Sequence, residues 1–151
     1  MFDFLSPYFK IADFDSPDKK GSGSQMSMTV LRAIVNARLW VEYNWNRRGK
    51  KRIVFIISSA VRTPFWNTEV GGTSSSSHLK GLAVDIIFKS YTEAFVIVIA
   101  LALQGFTRFG INFRDKFIHA DMDPDKNPSV WFYNTGFLRL LGIGKNKEED
   151  V

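Results

Sequence analysis

A chain of 151 residues, 45% apolar and 15% aromatic, is the size of one domain with one sizeable core and can fold without disulfides or oligomerisation. It has no cysteine, which excludes a disulfide framework, thiolate metal ligation and a cysteine nucleophile together, so any metal site must be built from histidine and carboxylate. The net charge of +5 favours anionic partners, yet the basic residues are scattered; only Arg47-Arg48-Gly49-Lys50-Lys51-Arg52 clusters, and its plain reading is a solvated turn between a helix and a strand.

In chain order, the opening MFDFLSPYFKIADFDSPD carries aspartates where a signal peptide has a basic region and an unbroken apolar core, so the mature chain is expected to begin near Met1. Tyr8-Phe9-Lys10-Ile11 reads as a short strand-like piece, Asp15-Ser16-Pro17-Asp18 as a turn and Gly21-Ser22-Gly23-Ser24 as a flexible loop. From Ser27, the expected cap, Val30, Ile34, Ala37 and Val41 fall on one face of an amphipathic helix that runs to about Tyr43. Ile53-Val54-Phe55-Ile56-Ile57 is apolar on both faces, which predicts a central strand ending at Ser58-Ser59.

A glycine- and serine-rich loop from Gly71 to Ser77 follows, and it delivers His78. Leu82 to Phe88 alternates as a strand that puts Ala83, Asp85 and Ile87 on one face. Ser90-Tyr91-Thr92-Glu93 reads as a capping box opening an apolar helix, and Gly105 reads as its stop. Its core, Ala94 to Leu103, is about ten residues where a bilayer takes about twenty, so it predicts a buried helix and no membrane insertion. Phe106 to Phe109 and Lys116 to Asp121 read as two strands joined by a turn around Gly110 to Asp115. Trp131-Phe132-Tyr133 reads as a last short strand, and Lys145 to Val151 as a disordered charged tail.

The chemistry concentrates at the chain's two histidines. His78 is followed seven positions later by Asp85 inside an apolar run, and an aspartate buried there without a partner would cost several kcal/mol, which calls for a cation or a tight hydrogen-bond set. The second histidine lies in Phe117-Ile118-His119-Ala120-Asp121. Three such groups suit the three protein ligands plus one water of a catalytic zinc. Ligand type alone leaves manganese, cobalt and nickel open.

Ser76-Ser77-His78-Leu79-Lys80-Gly81-Leu82-Ala83-Val84-Asp85 resembles the SxHxxGxAxD motif of the zinc D-Ala-D-Ala carboxypeptidase family, whose relatives include phage endolysin peptidases and the Hedgehog signalling domain. Ser59-Ala60-Val61-Arg62-Thr63-Pro64 with Asn67 resembles that family's SGYRTPxxN segment, with Ala60 and Val61 in place of its Gly and Tyr. Phe117 to Asp121 resembles its FxHxD closing segment, and Phe14-Asp15-Ser16-Pro17-Asp18 is similar to phage-encoded members.

The resemblance implies that His78, Asp85 and His119 ligate one zinc ion, and that Arg62 holds the substrate carbonyl or carboxylate, with Ser76 and Asn67 as further substrate contacts. Several branches of the family carry a Glu or Asp three residues before the last histidine, where this chain has Lys116. Asp121 lies two residues after His119, on the same face of a strand, and is the expected general base with Asp115 in reserve; a role orienting a ligand is the alternative for Asp121. The expected fold is α+β: a small, mainly antiparallel sheet flanked by two or three helices, with the zinc site on its open face. Residues 1–144 are expected to form one domain, followed by the tail at 145–151.

The implied activity is hydrolysis of an amide bond in peptidoglycan stem peptides, of D-Ala-D-Ala carboxypeptidase or endopeptidase type; the alternative is a binding module that keeps the metal and has lost turnover. Expected partners are peptidoglycan or its muropeptides and no nucleic acid, with the protein a monomer. It is expected to be made in the cytoplasm, on the phage resemblance that of an infected bacterium, and to act at the cell wall.

Overall fold

The computed structural model describes residues 2–133. Among these residues, three α-helices and five strands make up an α+β fold: α1 Met28–Asn44, β1 Ile56–Ser59, α2 Pro64–Glu69, β2 Ala83–Ile87, α3 Tyr91–Ala102, β3 Arg108–Asn112, β4 Phe117–Asp121 and β5 Ser129–Phe132. The strands form one sheet in the order β1-β2-β4-β3-β5. The first three pairings are antiparallel, and β5 joins the edge parallel to β3.

The pleat sorts the side chains. Along β2 and β4, Val84, Ile86, Ile118 and Ala120 point into the core, while Asp85, His119 and Asp121 occupy the alternate positions on the opposite face. α1 and α3 pack against each other and cover the core face. The expected stripe Val30, Ile34, Ala37 and Val41 is fully buried along α1. Ser27 stands at the start of α1 without a side-chain cap bond; its N–H donates instead to the carbonyl of Gly81 at 3.0 Å, tying the helix to the turn before β2. Ser90 caps α3 by accepting from the Glu93 N–H, and the Glu93 carboxylate reaches back one residue further than a capping box requires, to the Lys89 N–H.

Several elements differ from the sequence reading. Tyr8 to Ile11 is not a strand: the N-terminal segment makes 3₁₀ turns at Asp3–Leu5 and Ile11–Phe14, and Leu5, Phe9 and Phe14 plug the core. The expected loop at Gly21 to Ser24 also holds a 3₁₀ turn, Ser22–Gln25. Ile53 to Ile57 leads into an edge strand, not a central one, among the described residues; Ile53 and Phe55 are buried on the side covered by α1 and α3, whereas Val54 and Ile56 look outward. α2 is an additional helix, started by Pro64 in its first turn and by the Thr63 hydroxyl, which accepts from the Trp66 N–H. The turn placed at Gly110 to Asp115 begins later, because Gly110 lies in the middle of β3 and the chain reverses over residues 113–116. The tail at 145–151 and the end of the expected domain lie outside the described residues.

Candidate metal centre

His78 is delivered by a tight turn rather than by a strand. The carbonyl of His78 accepts from both Arg62 N–H and Gly81 N–H, and Ser77 O accepts from Leu82 N–H, so the loop is stitched to the end of β1 and to the entry of β2. Gly81 makes the turn possible: its φ is +66°, and a Cβ there would lie 2.4 Å from the carbonyl oxygen of Gln25. Asp85 in β2 stands directly opposite His119 in β4. The turn and two strands therefore bring all three groups together, each of them buried.

His78 Nε2 lies 3.2 Å from Asp85 Oδ1 and 3.1 Å from His119 Nδ1, and His119 Nδ1 lies 3.0 Å from Asp85 Oδ1. Ligands held at zinc distances of about 2.0–2.1 Å in a tetrahedron stand about 3.3 Å apart, so this triangle has the dimensions of one tetrahedral face. The protons argue the same way. His78 Nδ1 donates to the carbonyl of Ala60 at 2.6 Å, and His119 Nε2 donates to Asp121 Oδ2 at 3.0 Å. With the outer nitrogens holding the protons, two neutral imidazoles present lone pairs to a carboxylate oxygen, and three acceptors facing one point call for a cation. The donor set, nitrogen and oxygen without sulfur, fits zinc.

A ring of outer groups fixes the triangle. Arg62 Nη2 donates to Asp85 Oδ2 at 2.6 Å and its Nε to Ser59 Oγ at 2.9 Å, which leaves Oδ1 of Asp85 for the cluster. Asp121 also accepts from the Asp123 N–H at 3.0 Å and from Arg108 Nε at 3.3 Å. Asp123, buried in turn, takes the Ser77 hydroxyl at 3.0 Å and the Lys80 ammonium at 3.0 Å.

Ionisation follows these contacts. Burial pushes His78 below the usual imidazole range against the pull of Asp85, which favours the neutral ligand form. Burial would also depress His119, but hydrogen bonds to Asp121 and Asp85 outweigh it and raise the group to about 9, so without a metal a proton there supplies the missing positive charge. Burial would raise Asp85 and Asp121; the two imidazoles hold Asp85 low, and His119 with the Asp123 N–H holds Asp121 low, so both stay carboxylates.

The other expected site residues are held by contacts of their own. Asn67 is buried, and its Nδ2 donates to the carbonyl of Thr73 at 2.8 Å, which fastens the glycine-rich loop. Ser76 is buried two residues before His78 and shapes the turn through its backbone, accepting from Leu79 N–H. Asp115 sits in the β3–β4 turn, bonded to Asn112 at 2.9 Å, and Lys116 occupies the same turn at a φ of 55°. Among the described residues, Asp85 and Asp121 are the carboxylates bonded to cluster imidazoles, and Asp121 is bonded to the nitrogen of His119 that turns away from the triangle. The sequence reading missed Arg108, Asp123 and the Lys80–Ser77 support; the alternation Asp121-x-Asp123-x-Asp125 was the available signal.

The fold and the triangle agree with the comparison to known proteins. No curated protein matches the chain. The family model described as Peptidase M15 matches residues 8–121, a span that includes Arg62, His78, Asp85 and His119 and ends on Asp121, and the chain belongs to that family, the metallopeptidases of zinc D-Ala-D-Ala carboxypeptidase type.

Proposed function

We propose that this protein is a zinc-dependent peptidase that hydrolyses an amide bond in peptidoglycan stem peptides, of D-Ala-D-Ala carboxypeptidase or endopeptidase type, in cell-wall lysis or remodelling. The observation that carries the reading is the convergence of His78 Nε2, His119 Nδ1 and Asp85 Oδ1, with both imidazole protons committed outward to Ala60 and Asp121. Zinc held by those atoms supplies Lewis acidity and activates water near neutral pH.

The protein's own groups supply charge and orientation. Arg62, always charged, fixes Asp85 through one edge of its guanidinium and turns its remaining N–H groups to the substrate carbonyl, where they stabilise the oxyanion as it develops. Asp121 stays ionised and holds the His119 ring by Nε2, so its part is to orient the ligand. The burial of all three donors excludes bulk water and strengthens each of these interactions.

Lys116 favours a second reading. Where branches of this family place a carboxylate three residues before the last histidine, this chain has an ammonium, which cannot take a proton from water while charged. A binding module that keeps the metal and turns over slowly accommodates that exchange. Incubation of the purified protein with muropeptides, with and without a chelator, separates the two when fragments are followed by mass spectrometry. Cleavage that needs metal and vanishes in His78→Ala supports the peptidase; metal uptake with every stem peptide left intact supports the module.

A further inference from the structure

Ser59, Asp85, His119, Gly110 and Trp131 stand in register on successive strands, one from each of the five. Directly opposed residues share a face of a sheet, so this row carries two of the three metal donors, with Gly110 as a gap in it. A Cβ at Gly110 would lie 2.5 Å from Cε2 and 2.6 Å from Nε1 of Trp131. The indole thus occupies the room that any side chain at 110 would claim. From there it meets the His119 ring, centroid to centroid at 5.5 Å, and the Arg108 guanidinium lies 5.3 Å from its own centre. Arg108 and His119 both bond Asp121. The indole N–H is buried and meets no hydrogen-bond partner among the described residues, so shape and the π face hold this ring in place.

We propose that Gly110 and Trp131 act together as a positioning device for His119: the glycine opens a notch, and the indole that fills it holds the imidazole and the Arg108–Asp121 pair so that Nδ1 faces the metal. Trp131 is a positioning residue, acting through His119. The inference rests on the metal reading above, and its test keeps the two apart.

The full-length protein and its Trp131→Ala, Trp131→Phe, Gly110→Ala and Gly110→Ala/Trp131→Ala variants are titrated with zinc against a chromophoric chelator. Visible spectra of the cobalt-loaded forms report ligand geometry, and melting of the metal-free forms reports folding separately. Trp131→Ala is expected to weaken zinc binding about 10- to 100-fold and to alter the cobalt spectrum, as loss of a partner outside the ligand set does. Gly110→Ala is expected to do the same, because its methyl group evicts the indole. Trp131→Phe should stay within about threefold, since a smaller ring still fills the notch and the N–H meets no partner among the described residues, and Gly110→Ala should add less than about twofold on the Trp131→Ala background. Wild-type affinity and spectrum in Trp131→Ala, or additive losses in the double variant, would overturn the proposal. Should Trp131→Ala fail to fold, a Gly110→Ala variant that binds zinc as tightly as Trp131→Phe does would overturn it equally. A wild-type chain that takes up neither zinc nor cobalt would sink the metal reading itself.

Discussion

Asp121 accepts the Nε2 proton of His119 at 3.0 Å and so dictates that Nδ1 is the nitrogen the ring offers to Asp85 and His78. Asp121→Asn therefore tests two roles at once. An amide can offer its own hydrogen to Nε2, which favours the tautomer with the proton on Nδ1 and spoils the ligand. Zinc affinity is expected to fall about 10- to 100-fold, read by chelator competition. Unchanged affinity with abolished hydrolysis would return Asp121 to the role of general base.

Arg62 Nη2 holds Asp85 Oδ2 at 2.6 Å, and in the proposed function its remaining N–H groups go to the substrate carbonyl. Arg62→Ala is expected to lower kcat/KM for a stem-peptide substrate about 10²–10³-fold, the usual loss when one oxyanion donor is removed. Arg62→Lys should recover only part of it, because an ammonium cannot bridge Asp85, Ser59 and substrate with one planar fork. Steady-state kinetics on zinc-loaded variants decide this, and full activity in Arg62→Ala would remove the residue from the mechanism.

Protonation of His119 makes the metal-free protein pH-sensitive. The folded-state value of about 9 stands above the ordinary 6.5, so the folded chain binds more protons than the unfolded one between those values. This contribution to stability is complete below about pH 6.5 and is lost as pH rises through about 9. Chelator-treated protein should melt at progressively lower temperature across that window, while zinc-loaded protein, with His119 committed to the metal, should change much less. A flat profile for the metal-free form would contradict the assignment.

Gly81 carries a geometric demand independent of chemistry. Alanine there combines a left-handed backbone, worth roughly 1–2 kcal/mol against a side chain, with a 2.4 Å approach to Gln25 O. Gly81→Ala is expected to destabilise the fold by at least that amount in urea titration and to loosen zinc binding, since the same turn delivers His78. Wild-type stability in that variant would show that the turn yields.

The cluster of three groups that could hold a metal was legible in the sequence because scarcity and spacing act together: with two histidines and no cysteine, a buried aspartate seven residues after one of them has few possible partners. Their outer support was not, since the link from Ala60 to His78 spans 18 residues and runs through a backbone carbonyl, which no side-chain pattern announces. Periodicity located both long helices but could not tell an edge strand from a central one at Ile53 to Ile57, because strand order is set by long-range pairing. Gly110 looked like a turn for a sound local reason and proved to be a vacancy shaped for Trp131, a residue that becomes its neighbour only through a parallel pairing.

The strand order has an evolutionary corollary. The donors hang on β2, β4 and the turn that enters β2, all inside the sheet, whereas Arg62 follows one edge strand and Trp131 belongs to the other. Borders of a sheet and the loops beside them ordinarily accept substitution readily, but here each margin braces an interior donor, Arg62 on Asp85 and Trp131 beside His119, so a lineage that rewrites either border also alters the grip on the ion.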